Sequence, residues 1–151
     1  MLTTVAVALL LTLPAEPPAK SEPPAVKFLG AKDGALTFEL SNPNAEALPY
    51  VGYLPSSFEG GLKEGTIAPL FRVEVHRGKE WKAHPIGWCG TGLGAVSVPG
   101  KGKATFAVRL PDGDWDKVRV GVTWFKTAAR KEPVDAWSDA LGKDDVAPKK
   151  R

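Results

Sequence analysis

The side chains with the most reactive chemistry are one cysteine and two histidines that lie near one another in the sequence. His76, His84 and Cys89 are residue types that supply metal ligands, or a nucleophile with its base. The two histidines are eight residues apart, which matches neither a zinc ribbon nor a His-x-x-x-His pair on a helix. Cys89 and His84 have no identifiable third orienting group or oxyanion motif. The sequence therefore predicts no catalytic residue, no metal ion, no cofactor and no enzymatic activity.

A second group of candidate ligands is acidic. Asp112, Asp114 and Asp116 stand at alternate positions and could offer oxygen atoms to calcium, which takes several carboxylate and carbonyl ligands. The calcium-hand pattern is incomplete, because its sixth position holds no glycine and Thr123 stands where a bidentate Glu is needed. We interpret the Pro-Asp-Gly sequence at residues 111–113 as a turn.

Five tryptophans in a chain of 151 residues suggest a contact surface as well as a core. Indole faces stack on sugar rings through the same apolar and electrostatic preferences that favour other aromatic contacts. Trp124 follows the inward phase of its predicted strand and is expected in the core, whereas Trp81, Trp115 and Trp137 lie near turns or edges. A carbohydrate-binding module that uses exposed Trp and Tyr side chains is therefore one of two functions left open.

The other function is contact with a protein or a cell-surface component through loops. Residues 55–69 form the longest irregular stretch, and loops of that length are usually functional or mobile. Residues 87–94 carry four glycines around Trp88 and Cys89; glycine permits close backbone approach, and aromatic rings supply anchoring area. As a lone cysteine beside Trp88, Cys89 is predicted to be a small buried hydrophobe. The candidate binding residues are Tyr50, Tyr53, Phe58, Trp81, Trp88 and Trp115.

The elements that must position these residues are strands. Leu36, Phe38 and Leu40 are apolar while Thr37 and Glu39 between them are polar, which is the period of a half-buried strand. The same alternation occurs in residues 71–75, 104–110 and 118–124. Strands with one apolar face and one polar face are typical of antiparallel sheets packed as a sandwich. We predict an all-β fold, a single antiparallel β-sandwich of seven to eight strands.

Short motifs also carry a family resemblance. A hydrophobic strand at residues 36–42 runs into Ser, Asn and Pro, and a Val-Pro-Gly turn at residues 98–100 introduces the strand at residues 103–110. The segment 88–92 looks like one found in small secreted bacterial proteins. Over residues 26–140 the order of these features resembles a small secreted bacterial immunoglobulin-like or fibronectin-like β-sandwich protein of unknown function. Antibody-type domains carry a pair of bridging cysteines that this chain lacks, so the resemblance implies a disulfide-free sandwich.

Composition predicts the role of each end of the chain. The apolar run within residues 1–15 is too short to span a bilayer and is typical of a signal peptide, so we expect a secreted or periplasmic protein without a stable transmembrane anchor. Residues 16–25 are predicted to be a Pro-rich tether, 26–141 the sandwich and 142–151 a charged, solvated tail. The net charge of +3 is concentrated in that tail, which has four basic and two acidic residues. No basic stripe with interleaved aromatics crosses the strands, which argues against nucleic acid as a partner.

Overall fold

The computed structural model describes residues 22–127 and 129–147, which form strands and two short helices. A 3₁₀ helix covers Pro55–Ser57, and a single helical turn, α1, covers Lys143–Val146. The strands are β1 (Ala25–Lys32), β2 (Ala35–Ser41), β3 (Leu48–Tyr53), β4 (Phe71–Arg77), β5 (Glu80–His84), β6 (Leu93–Val98), β7 (Lys103–Arg109), β8 (Lys117–Phe125), β9 (Pro133–Trp137) and β10 (Leu141–Gly142).

The strands form two antiparallel sheets, which confirms the predicted all-β sandwich. The smaller sheet has the order β1-β2-β7, and the larger has the order β5-β4-β8-β3-β6, with β9 and β10 also paired to β8. The described strands number ten, against the predicted seven to eight. One reason is that the pairing with β8 is divided between β9 and β10 at Ser138, whose Oγ accepts the N–H of Val120 in place of a backbone carbonyl.

The core lies between the sheets and is built from the alternate residues that the sequence marked as apolar. Phe38 is 0% exposed, as are Leu36 and Leu40 on either side of it in β2. In β8, residues 118, 120 and 122 are also 0% exposed, and Trp124 is buried as predicted. Because Cys89 is the only cysteine, this apolar packing, rather than an intrachain disulfide, stabilises the fold.

Both ends of the described region are bonded to the sandwich. Glu22, in the predicted tether, donates its N–H to Asn44 Oδ1 at 2.7 Å. In the predicted solvated tail, Val146 is buried against the core, and Lys143 Nζ lies 2.8 Å from Asp114 Oδ1. An apolar residue one turn after an ion pair explains why the start of this tail packs instead of extending into solvent. The predicted signal peptide, residues 16–21 of the tether and residues 148–151 of the tail lie outside the described residues.

A buried asparagine connects the end of β2 to the end of β6. Asn42 is 2% exposed, and its Nδ2 lies within hydrogen-bonding distance of the carbonyl oxygens of Glu46, Val98 and Pro99, at 2.8, 3.2 and 3.0 Å. Its Oδ1 accepts the N–H of Asn44 at 3.0 Å. One side chain therefore satisfies backbone polar groups from two separate turns, the buried carbonyl of Val98 among them, which an apolar residue could not do.

Replacing this amide should destabilise the fold. Asn42→Ala is expected to lower the free energy of unfolding by about 2–4 kcal/mol, because the buried carbonyl of Val98 loses its donor and the half-buried bonds to Glu46 and Pro99 are lost as well. Urea denaturation of the two proteins measures the difference. Asn44→Ala is the comparison: its side chain bonds to Glu22 at an exposed position and to Asn42 Oδ1 at a half-buried one, so its loss should cost less, about 1 kcal/mol. Equal losses in the two variants would contradict the role assigned to Asn42.

Candidate functional site

A cavity of about 570 Å³ opens between the two sheets. Tyr53 of β3 and Phe71 of β4 line it from the larger sheet, and Phe106 of β7 lines it from the smaller one. The loop at residues 55–69 contributes Phe58, and the segment at residues 88–92 contributes Trp88. We call this cavity, with these five rings, the aromatic cleft.

The aromatic cleft is continuous with the hydrophobic core. Neighbouring rings lie 4.5–6.2 Å apart between centroids along one unbroken series, from the interior to the surface. The series is Phe28, Phe38, Phe106, Phe71, Trp88, Tyr53 and Phe58. Phe106 is only 4% exposed, whereas Trp88 and Phe58 are 40% and 39% exposed. Large apolar rings that are partly exposed to solvent thus pack against side chains of the core.

Hydrogen bonds fix the segment that carries Trp88. The Tyr53 hydroxyl donates to the carbonyl of Cys89, and the N–H of Leu54 donates to the carbonyl of Gly92 at 2.9 Å. The Ser57 hydroxyl donates to the same carbonyl at 3.0 Å. Gly92 has a φ of +88°, and a Cβ there would lie 2.5 Å from Ser57 Oγ. Glycine is therefore required for this segment to approach the 3₁₀ helix so closely.

The loop at residues 55–69 bridges the two sheets beside the aromatic cleft. Its end bonds to the larger sheet, where the N–H of Tyr53 donates to Ala68 O at 2.9 Å. Just before that point the loop bonds to the smaller sheet: Thr105 of β7 donates its N–H to Gly65 O and accepts the N–H of Ile67, both at 2.8 Å. The longest predicted loop is therefore anchored by backbone hydrogen bonds at the cleft.

Of the six candidate binding residues, Tyr53, Phe58 and Trp88 come together in the aromatic cleft. Two others are buried, and this corrects the expectation that they contact a partner. Tyr50 is 2% exposed, and burial raises its pKa to about 12, a rise that the positive charge of Arg130 partly offsets. Trp115 is 5% exposed, and its indole N–H donates to the Pro111 carbonyl at 3.1 Å, so the turn folds over the ring.

Trp81 lies outside the aromatic cleft, in a cluster on the larger sheet. The Arg119 guanidinium lies 4.5 Å from the ring centroid of Trp81 and 4.7 Å from that of Trp137, and it also bonds to Glu74 at 2.8 Å. Trp137 lies on Gly121, where a Cβ would come within 2.8 Å of the indole. Packing contacts within the larger sheet therefore explain the positions of both indoles.

Cys89 is exposed, so the prediction of a buried cysteine is wrong. Its neighbour Trp88 is itself at the surface, and Cys89 lines the aromatic cleft in a segment rich in glycine. The Sγ atom lies 3.0 Å from Thr91 Oγ1, and hydrogen bonding from the side chain and backbone of Thr91 lowers the pKa of the thiol.

Two of the three aspartates considered as calcium ligands lie beside basic side chains. The Asp112 carboxylate lies 3.9 Å from Arg109, and Asp114 pairs with Lys143, a contact that lowers the pKa of Asp114. Asp116 accepts the N–H of Gly78 at 3.1 Å. Within residues 22–127 and 129–147, no group of three or more His, Cys, Asp or Glu side chains is arranged to hold a metal ion. In the same part of the chain, no helix is long and apolar enough to cross a membrane.

Comparison with protein-family models, with curated proteins and with solved structures finds no match for this chain.

The sequence predicts two residues of the aromatic cleft, Phe71 and Phe106, only as apolar positions of strands and not as residues of a binding site. Their periodicity places them on the inward face, and Phe106 is indeed buried, but periodicity does not tell where a core ends. The run of rings from Phe106 to Trp88 depends on two strands from different sheets, so no local pattern predicts it.

The reactivity of Cys89 should follow its hydrogen bonds. Alkylation by iodoacetamide is expected to have a pH midpoint below that of an ordinary thiol, because Thr91 favours the thiolate. Thr91→Val should move the midpoint upward by removing the hydroxyl, while Thr127→Val, at an exposed position outside the aromatic cleft, should leave it unchanged. Mass spectrometry of the alkylated chain gives the rates. A midpoint that is the same in all three proteins would contradict the assigned contact.

Proposed function

We propose that this protein is an exported, non-enzymatic, immunoglobulin-like or fibronectin-like domain that binds a protein or cell-surface component through the aromatic cleft. The observation that carries the proposal is the exposure of Trp88 and Phe58 above a packed series of rings. Contiguous exposed apolar surface is unfavourable in water and marks interaction sites on soluble domains. Tryptophan is also among the residues that contribute most to binding energy at protein interfaces.

The rings of the aromatic cleft are held in place before any partner binds. Trp88 packs edge-on against Phe71, with ring planes at 75°, and Tyr53 packs against both Trp88 and Phe58. The hydrogen bonds from Tyr53 and Ser57 hold the Trp88 segment. Binding therefore has to immobilise few side chains, which favours affinity.

The polar groups of the cleft support binding more than catalysis. The Tyr53 hydroxyl is already engaged with the Cys89 carbonyl, and Ser57 with that of Gly92. Among the described residues that line the cleft, none supplies a carboxylate or an imidazole. A nucleophile such as Cys89 would need one of these as its base.

A carbohydrate-binding module has weaker support. Flat sugar platforms use exposed indole faces, yet Trp115 is in the core, and Arg119 lies against both Trp81 and Trp137. Trp88 is left as the exposed indole for a sugar ring, and its position among other aromatic rings suits an apolar side chain of a protein equally well.

Site-specific photo-crosslinking tests the proposal. A benzophenone amino acid at Phe58 should cross-link a protein from extracts of the source organism, and the same group at Lys27, an exposed position of β1, should not. Trp88→Ala should reduce the Phe58 cross-link about tenfold, because it removes a central anchor.

Trp81→Ala is the matched control, since it removes an indole outside the aromatic cleft and should leave the Phe58 cross-link unchanged. Thermal unfolding verifies that each variant is folded. Equal cross-linking by all folded variants would contradict the proposal, and Trp88-dependent retention on insoluble polysaccharide would favour the carbohydrate alternative.

A further inference from the structure

Among the described residues, the outer side of β7 is unpaired beyond Thr105, next to the aromatic cleft. On the side facing β2, Leu110 at the end of β7 donates its N–H to Gly34 O at 2.9 Å. The N–H and C=O groups of Thr105 point the other way, toward the loop at residues 55–69. Backbone groups in an antiparallel pair alternate in direction with a period of two residues, so those of Ala107 and Arg109 point to the same outer side as Thr105.

These outer groups of Ala107 and Arg109 have no hydrogen-bond partner in the part of the chain that the structure describes, residues 22–127 and 129–147. The chain itself covers the neighbouring position. Thr66 forms a parallel bridge with Thr105, so an extended segment has already been added to this edge of β7. The added segment ends because the chain then turns to β3, where the N–H of Leu70 donates to Val51 O at 2.7 Å.

A groove runs along the uncovered part of the edge. A second cavity of about 380 Å³ shares Phe71 with the aromatic cleft and is lined by His84 of β5 and by Val108 and Leu110, with the charged residues Arg109 and Asp112 at the end away from the aromatic cleft's apolar lining. The two cavities together follow the chain from Phe106 in β7 to Leu110, the residue after the end of β7. The described lining of the first cavity contains no charged side chain, so a charged group entering there would lose its hydration without gaining a counter-ion.

We propose that the partner binds as an extended peptide that adds a strand to β7 at Ala107 and Arg109 and places uncharged, apolar side chains in the aromatic cleft. The inference rests on the proposed function and specifies the chemistry of its partner. Every second residue of an extended chain presents its N–H and C=O groups in the same direction, which matches the two-residue spacing of the free groups on β7. Backbone hydrogen bonds fix the register of the guest, and the cavities select its side chains.

Peptide arrays test this directly. The folded protein is applied to immobilised seven-residue peptides with uncharged apolar residues at every second position. A bound peptide is then remade with single N-methyl groups at each backbone amide. Methylation should weaken binding about tenfold or more at alternate residues and little at the residues between, because only one set of amides faces β7. Binding that is insensitive to methylation at every position would overturn strand addition.

Two variants at one position provide the protein side of the test. Ala107→Pro removes the outward N–H and leaves the hydrogen bonds between β7 and β2 in place, and proline is tolerated at such edge positions. Ala107→Ser retains the N–H at similar volume and is the matched control. The proline variant should lose about tenfold or more in peptide affinity, and the serine variant should not. If the proline variant fails to fold, the methylation scan on the unaltered protein still decides the question.

The remaining outcomes separate this inference from the proposed function. Peptides that depend on Trp88 but tolerate both N-methylation and Ala107→Pro would overturn strand addition and leave the binding role of the aromatic cleft standing. An array without any Trp88-dependent peptide would also overturn strand addition, while the Phe58 cross-link would still decide the binding role. A dimer in sedimentation that Ala107→Pro dissociates would identify a second copy of this chain as the occupant of the edge, against the proposal.

Discussion

Apolar packing between the two sheets is the constraint on which the rest of the structure depends. A single cysteine leaves the chain without an intrachain disulfide, so the register of the strands must keep each apolar face directed at the other sheet. Phe38 in β2 and Phe106 in β7 are register partners, and their rings stack at 5.6 Å in this interface. Since Phe106 is also part of the aromatic cleft, the packing of the core determines where this ring of the cleft lies.

The aromatic cleft forms where the packed rings between the two sheets reach solvent. Phe71 contacts Phe106 on one side and Trp88 on the other, so the core continues into solvent instead of ending at a polar rim. The part of the β7 edge that no described residue pairs with, beyond Thr105, runs beside the same rings. We infer that apolar contact and backbone pairing act together in one groove. Exposed rings select a partner with apolar side chains, and an open strand edge selects one with an extended backbone. A groove that has both selects for both properties.

The sequence predicted the architecture well because alternation is a local property. The alternation in residues 36–40 and 118–124 is clear enough to predict two strands and the inward face of each. Both of these inward faces are buried as predicted. Site residues were harder to predict. Trp115 lies in a polar turn, yet its N–H reaches Pro111 and the ring is buried; Cys89 adjoins an aromatic residue, yet both are at the surface. These outcomes depend on how a loop folds over the sheets, which local spacing does not encode.

Hydrogen exchange of individual amides in the free protein tests whether the core opens into a groove along the unpaired part of the β7 edge. Nuclear magnetic resonance should show slow exchange for Phe106 and Val108, whose N–H groups pair with β2, and much faster exchange for Ala107 and Arg109 on the open side. Thr105, bonded to Gly65, should be protected relative to Ala107. Equal protection of Ala107, Val108 and Arg109 would mean that another part of the chain covers this edge, and would contradict an open groove beside the aromatic cleft.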